Sequence, residues 1–127
     1  MPHRGSCLCG AVRLEIDGEL HAPDACHCSQ CRRMTGHYWA STDVPDAQLR
    51  ISGAEHVRWY QSSAKVKRGF CANCGSVLFW KPLQRDTTAV SMGALETPTD
   101  TQLARHIFVA DKGDYYRIDD GLPQNPQ

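Results

Sequence analysis

Seven cysteines, grouped in three short clusters, limit the folds open to this 127-residue chain more than any other feature. Two clusters are doublets and one is a triplet: Cys7 and Cys9, Cys71 and Cys74, and Cys26, Cys28 and Cys31. An odd number of cysteines cannot pair completely as disulfides, and such tight spacings are typical of metal ligands. Metal binding is therefore the leading explanation, and it would bring distant segments of the chain together.

The two doublets together supply the four thiolates that a tetrahedral structural zinc site needs. A glycine directly follows each doublet, Gly10 in one case and Gly75 in the other. Glycine permits a tight turn whose backbone amides can face the sulfurs. The pattern predicts one structural zinc ion bound by Cys7, Cys9, Cys71 and Cys74. The alternative is that these four are ordinary buried thiols.

The triplet is left with three thiolates and no further cysteine to complete a tetrahedron. Three protein ligands with one exchangeable position are typical of catalytic zinc, and a substrate thiol is a chemically suitable fourth ligand. Three alternatives stay open: His27 or His37 completes the site, the cysteines bind no metal, or Cys28 and Cys31 form a redox pair. His27 lies between two ligands and should point away from their metal, so His37 is the better candidate.

Length and charge exclude several classes of function. The chain is long enough for one hydrophobic core, so residues 1–127 are expected to form a single domain. Fourteen Lys and Arg balance fourteen Asp and Glu, and this leaves no basic field for a nucleic acid or an anionic membrane. No apolar run has the length of a signal peptide or a membrane span, so we expect a soluble cytoplasmic protein.

Short β-rich runs dominate the rest of the chain. Val12, Leu14 and Ile16 alternate with polar residues, which is the period-two pattern of a half-buried strand. Seven more runs suggest about eight strands in all: HYWAST, EHVRWY, KVKRGF, SVLFW, TAVSM, RHIFVA and YYRI. The stretch RGFCANCGSVLFW reads as a hairpin with the second doublet at its tip. A helix beginning with Ser29 as its N-cap should end at Gly36, and TPTDTQLARH could hold one or two helical turns.

Four ordered motifs contain all seven cysteines and resemble one known family. They are GSCLCGAVRLEI at 5–16, CHCSQCRRMTG at 26–36, FCANCGSVLFW at 70–80 and HIFVADKGDYYRIDDGLPQ at 106–124. The pattern closely resembles the glutathione-dependent formaldehyde-activating enzyme (GFA) family, also described as the centromere protein V/GFA domain. The resemblance spans nearly the whole chain.

This resemblance implies a mainly β fold of the Mss-four-like superfamily, with zinc-stapled twisted antiparallel sheets and one or two short helical turns. It places a structural zinc at the two doublets and a second zinc, where thiol chemistry would occur, at Cys26, Cys28 and Cys31. The activity that names the family condenses glutathione with formaldehyde to S-hydroxymethylglutathione. We therefore expect a zinc-dependent carbon-sulfur lyase-type enzyme that forms or breaks an adduct of glutathione, or a similar thiol, with formaldehyde or another small carbonyl compound.

Side chains that follow the triplet are candidates for binding the thiol substrate. Arg32 and Arg33 could hold its carboxylates, and Tyr38 and Trp39 could wall its pocket. The alternative for the arginines is simple solvation. Lys65, Lys67 and Arg68 are read mainly as a polar strand face, although they could offset the negative charge of the four-cysteine site or guide an anion.

Two other functions compete with the enzyme. One is a non-enzymatic binding module that uses a zinc-stabilised sheet as its platform, as accessory proteins for small GTPases in this superfamily do. The other is a methionine sulfoxide reductase of related fold. The reductase needs a reactive cysteine outside the zinc ligands, and none remains in this chain.

Overall fold

The computed structural model describes residues 2–127 and contains ten strands and one α-helix. The strands are β1 His3–Ser6, β2 Arg13–Ile16, β3 Asp24–Cys26, β4 Trp39–Pro45, β5 Leu49–Ser52, β6 Val57–Gln61, β7 Val66–Cys71, β8 Val77–Pro82, β9 Thr87–Ser91 and β10 Arg105–Ile107. The helix α1 is Ser29–Thr35, and short 3-10 turns occupy Asp46–Gln48, Ala54–His56, Met92–Ala94 and Val109–Asp111. The predicted mainly β class is confirmed. No helix in residues 2–127 has the length and apolar character needed to cross a bilayer.

The strands form two sheets. The smaller has the order β1-β2-β5, and the larger has the order β10-β3-β4-β9-β8-β7-β6. All neighbouring strands are antiparallel except β10 and β3, which run parallel. A parallel neighbour cannot be reached by a tight hairpin, so the chain arrives at β10 through a long connection. The larger sheet is thus mixed, with a single parallel pair, and the smaller sheet is wholly antiparallel.

The hydrophobic core lies between the two sheets. Val12, Leu14 and Ile16 are at most 2% exposed, as their period-two pattern predicts, and they pack against Phe79 and Val90 of the larger sheet. Successive residues of a strand point to opposite faces, so the residues next to these in the larger sheet face away from the core. That opposite face carries a second, smaller cluster around Cys31, Trp39 and Ala89.

Seven of the eight predicted strand segments contain strands, and the hairpin around the second doublet is present as β7 and β8. The prediction for YYRI was wrong, because Tyr115 and Tyr116 lie outside the strands and hydrogen-bond to histidines. The helical turns predicted in TPTDTQLARH are absent from that segment, because its end is recruited as β10 and pairs with β3.

Three strands, β1, β3 and β5, were not predicted. Gly5 in β1 is the clearest case, because glycine usually weakens a strand. A Cβ atom on Gly5 would lie 2.5 Å from the backbone oxygen of Ala94, and Gly5 forms a β-bridge with Leu95. The close crossing of another backbone therefore requires glycine at this place in the strand.

Candidate metal centres

The two doublets meet in one four-cysteine cluster. The sulfurs of Cys7, Cys9, Cys71 and Cys74 all lie within 4.8 Å of one another. The Sγ atoms of Cys7 and Cys9 are 3.6 Å apart, and those of Cys9 and Cys71 are 3.8 Å apart. A tetrahedron with zinc-sulfur bonds of about 2.3 Å has edges of about 3.8 Å. The donor set and its spacing therefore fit a zinc ion.

Neutral amides surround this cluster. Val12 N donates to Cys7 Sγ at 3.3 Å, Cys74 N donates to Cys71 Sγ at 3.5 Å, and Asn73 Nδ2 donates to Cys9 Sγ at 3.1 Å. The turns that aim the backbone amides contain Gly10 and Gly75, with φ of 83° and 82°. Such positive values favour glycine, which explains the residue that follows each doublet.

The triplet forms a second cluster at the start of α1. The sulfurs of Cys26, Cys28 and Cys31 lie within 4.8 Å of one another. Cys26 ends β3, Cys28 is the N-cap of α1, and the amide of Cys31 donates to Cys28 Sγ at 3.3 Å. The predicted N-cap, Ser29, is instead the first helical residue, because a cysteine sulfur takes the capping role. The predicted end is confirmed, since Gly36 closes the helix with φ of 88°.

The three thiols of the triplet differ in acidity. The pKa of Cys28 is lowered, because its sulfur accepts hydrogen bonds from the thiols of Cys26 and Cys31 and lies near the positive charge of Arg68. The pKa of Cys26 is raised, because its thiol is engaged with Cys28 and Cys31 and is partly buried. Cys28 is therefore the thiol that loses its proton most readily, and the thiolate is the form that binds a metal.

His27 points away from the sulfurs that flank it. Its side chain is fully buried, with Nδ1 hydrogen-bonded to the hydroxyl of Tyr116 and Nε2 placed 2.9 Å from His106 Nδ1. His106 Nε2 in turn lies 2.7 Å from Asp120 Oδ2. Burial, together with the charges of nearby His and Lys residues, lowers the pKa of His27 to about 4. His27 is therefore neutral near pH 7 and is occupied by partners other than a metal.

The hydrogen bonds of this network run in one direction. An ionised Asp120 can only accept, so His106 donates to it from Nε2. With a singly protonated His106, His27 donates from Nε2 to His106 Nδ1 and accepts the hydroxyl proton of Tyr116 at Nδ1. The segment around Tyr116 and Asp120 thereby holds the back of the loop that carries the triplet.

Replacing Tyr116 with phenylalanine is expected to lower the free energy of unfolding by about 1 to 3 kcal/mol, because the fully buried Nδ1 of His27 loses its partner. The neighbouring Tyr115 provides a matched control. Its hydroxyl bonds to His37 at 2.5 Å, but its side chain is 61% exposed, so Tyr115→Phe should change stability by about 0.5 kcal/mol or less. Urea unfolding of the metal-loaded proteins measures both, and equal losses would contradict the assigned role of Tyr116.

The triplet opens into a cleft of about 830 Å³. Its floor is the face of the larger sheet that points away from the core. The residues of this floor lie side by side on neighbouring strands. These residues are Asp24 and Cys26 of β3, Trp39, Ser41 and Asp43 of β4, Ala89 of β9, Trp80 of β8, and Val66 and Arg68 of β7. Arg85, Arg105, Phe108 and Asp111 add further walls. The open side of the three-cysteine cluster is therefore the inside of a cleft.

The candidate substrate residues are divided between this cleft and other surfaces. Trp39 lines the cleft, and its indole Nε1 donates to Ser91 Oγ at 3.1 Å. The other three predicted residues are not among those that line it: Arg33 is exposed on α1, Arg32 donates to the backbone oxygen of Asp111 at 3.3 Å, and Tyr38 packs on His27. His37, the suggested fourth ligand, bonds to Tyr115.

Three arginines of the cleft, Arg68, Arg85 and Arg105, were not predicted as site residues. Arg85 lies in a turn and Arg105 in a strand with no cysteine, so only the assembled sheet brings them near the triplet. For Arg68 the sequence contained one signal, the alternation of side chains along a strand. Because of it, Arg68 and Lys67 face opposite sides of β7. Lys67 lies over the Trp59 ring at 4.3 Å, on the side away from the cleft.

Comparison with known proteins shows which family the chain resembles. Residues 2–111 match the family model described as "Glutathione-dependent formaldehyde-activating enzyme". A Halomonas elongata protein named "Putative glutathione-dependent formaldehyde-activating enzyme" is 29% identical, covering 91% of this chain and 80% of the relative. A Schizosaccharomyces pombe protein named as an uncharacterized lyase is 33% identical, covering 61% of this chain and 56% of the relative. A crystal structure of a Rhodobacter sphaeroides protein is similar with a TM-score of 0.64 and 28% identity, covering 80% of this chain and 99% of the other.

Proposed function

Because the chain belongs to the glutathione-dependent formaldehyde-activating enzyme family, we propose that it is a zinc-dependent carbon-sulfur lyase-type enzyme acting on glutathione, or a similar thiol, and formaldehyde or another small carbonyl compound. The reaction forms or breaks the adduct of the two. Residues 1–127 would constitute one zinc-binding domain with a structural ion at the four-cysteine cluster and a second ion at the triplet. None of the seven cysteines is paired in a disulfide, which supports a reducing cytoplasmic location.

One observation carries this proposal: all three cysteines of the triplet line the cleft, and their sulfurs lie close together. A structural site is normally closed by four protein ligands, as in the four-cysteine cluster. The two histidines nearest in sequence, His27 and His37, are engaged with tyrosine and histidine partners instead. The fourth position at the triplet is thus supplied from the cleft, where a substrate thiol has access.

A zinc ion bound there would lower the pKa of a coordinating thiol and favour its nucleophilic thiolate. In the forward direction the thiol sulfur bonds to the carbonyl carbon, and the π electron pair of the carbonyl moves to its oxygen. That oxygen takes up one proton in place of the one that the thiol lost. No electron leaves the pair of substrates, so the reaction needs no oxidant or reductant.

The polar walls of the cleft suit a zwitterionic thiol such as glutathione. Arg85 lies over the Trp80 ring at 5.7 Å, and no ion pair within residues 2–127 engages it, so its guanidinium can receive a substrate carboxylate. Asp43 and Asp111, which also line the cleft, can receive an ammonium group. Arg32 and Arg33, outside the cleft lining, remain a prediction from the sequence for the same role.

The test is a rate measurement against the uncatalysed reaction. Metal-loaded protein should accelerate formation of S-hydroxymethylglutathione from glutathione and formaldehyde, and Cys28→Ser should reduce that acceleration at least about 100-fold, since it removes a ligand of the reacting centre. Retention of one metal ion and of the wild-type circular dichroism by the variant would show that its fold is intact. Equal rates with and without wild-type protein carrying two metal ions would reject this substrate pair and favour the alternative of a binding module.

A further inference from the structure

Arg68 is a buried cation without a carboxylate partner. Arg68 is 5% exposed, and no ion pair within residues 2–127 joins it to an acidic side chain. A buried guanidinium is costly unless its charge and its N–H groups are compensated. Its surroundings must therefore supply a counter-charge of another kind.

The partners of Arg68 show what that counter-charge is. Nε donates to Ser62 Oγ at 3.2 Å and Nη2 donates to Gln30 Oε1 at 3.2 Å, while Nη1 donates to Cys31 Sγ at 3.4 Å. The first two acceptors are neutral and fix the plane of the guanidinium. The third is a sulfur of the triplet, so the charge of Arg68 is directed at the three-cysteine cluster.

A charge count shows why this cation matters for a fourth ligand. Three thiolates around a divalent ion carry a net charge of minus one, and an incoming thiolate makes it minus two. With Arg68 included the two totals become zero and minus one. Attraction between unlike charges a few ångströms apart in a partly buried site is substantial, so this cation favours an anionic fourth ligand over a neutral one.

The four-cysteine cluster offers an internal comparison. Its sulfurs receive hydrogen bonds from the neutral amides of Val12, Cys74 and Asn73. The two clusters therefore differ in the charge of their surroundings as well as in the number of their cysteines, and the cation accompanies the cluster that opens into the cleft.

We propose that Arg68 is a positioning residue of the triplet whose fixed charge makes the open coordination position selective for an anionic sulfur ligand. The inference rests on the proposed metal at the triplet and names the kind of ligand that this position accepts. It requires no carbonyl substrate and no turnover.

Ligand binding to the protein loaded with cobalt(II) in place of zinc tests this inference. Glutathione should add sulfur-to-cobalt charge-transfer absorption, and imidazole, a neutral ligand, should shift the visible bands of the metal. Arg68→Met should weaken glutathione binding about tenfold, equivalent to about 1.4 kcal/mol, while imidazole binding changes about twofold or less. Arg68→Lys, which keeps the charge, should restore most of the affinity for the thiol. Lys67→Met removes a neighbouring charge on the other face of β7 and should leave both affinities unchanged.

Equal weakening of both ligands in Arg68→Met would overturn the proposal, because it would indicate a general loss of the site. If that variant lost its metal or its fold, Arg68→Gln would replace it, because glutamine keeps hydrogen-bonding capacity without the charge, and unchanged glutathione affinity in Arg68→Gln would reject the inference. The outcome is separate from that of the proposed function. Turnover with unaltered thiol binding in Arg68→Met would defeat only this inference, whereas selective thiol binding without turnover would defeat only the substrate assignment.

Discussion

Replacing Cys71 with serine is expected to lower the free energy of unfolding of the metal-loaded protein by about 3 to 5 kcal/mol, and its thermal midpoint by roughly 10 to 20 °C. Cys71 is fully buried, ends β7 and belongs to the main core cluster. Its sulfur lies 3.8 Å from that of Cys9, 62 residues away. A metal between them closes a long loop, which removes conformational entropy from the unfolded chain. Differential scanning calorimetry with metal analysis on the same sample measures the effect.

The matched control for Cys71→Ser is Cys28→Ser, which also replaces a candidate ligand. Cys28 belongs to a cluster built from one short loop, so a metal there closes no long loop. Cys28→Ser should therefore lower the thermal midpoint by less than half as much as Cys71→Ser, although each variant binds one metal ion fewer. If the two midpoints fell together, the separation into a structural and a reactive centre would be wrong.

Treatment with a chelator is expected to remove the two metal ions in sequence, with the triplet emptied at least about ten times faster. The reason is the number of protein ligands, since a chelator can occupy the open position at the triplet before any cysteine leaves. At the four-cysteine cluster it must first displace a thiolate, even though Cys9 is exposed. Activity should disappear with the first ion, and near-ultraviolet circular dichroism with the second. Metal release followed by a colorimetric zinc indicator gives both rates.

Cys28→Ser provides the control for this experiment, because it should show only the slow phase. The circular dichroism of that variant should then match that of wild-type protein from which one ion has been removed. Loss of the tertiary signal with the first ion, or a single phase for both ions, would contradict the proposed division of roles.

The grouping of the cysteines could be predicted because its signals are local in sequence. The spacing within each cluster and the glycine after each doublet sufficed to sort seven cysteines into a set of four and a set of three. In the structure, the sulfurs within each set lie within 4.8 Å of one another. The same applies to β2, whose alternation of Val12, Leu14 and Ile16 directly reflects which side chains face the core.

The cleft could not be predicted, because it is a property of strand order. Trp80 pairs with Ala89 on one side and with Arg68 on the other, and Ala89 pairs with Asp43. These neighbours are set by the register of β4, β7, β8 and β9. The local sequence of each strand does not reveal which residue of another strand it will pair with. The four candidate substrate residues were chosen because they follow the triplet in the sequence. Of these four, only Trp39 lies in the floor of the cleft.

The residues that support the triplet loop lie late in the sequence. They are therefore synthesised after the ligands of both cysteine clusters. Cys74, the last ligand of the four-cysteine cluster, precedes Tyr116 by 42 residues. A nascent chain therefore presents all four ligands of the first ion to the cell while Tyr116 and Asp120, which hold the back of the triplet loop, are still untranslated. On the proposed roles, the ion of the four-cysteine cluster would be acquired during synthesis, whereas the loop of the triplet would gain its support only when the tail follows.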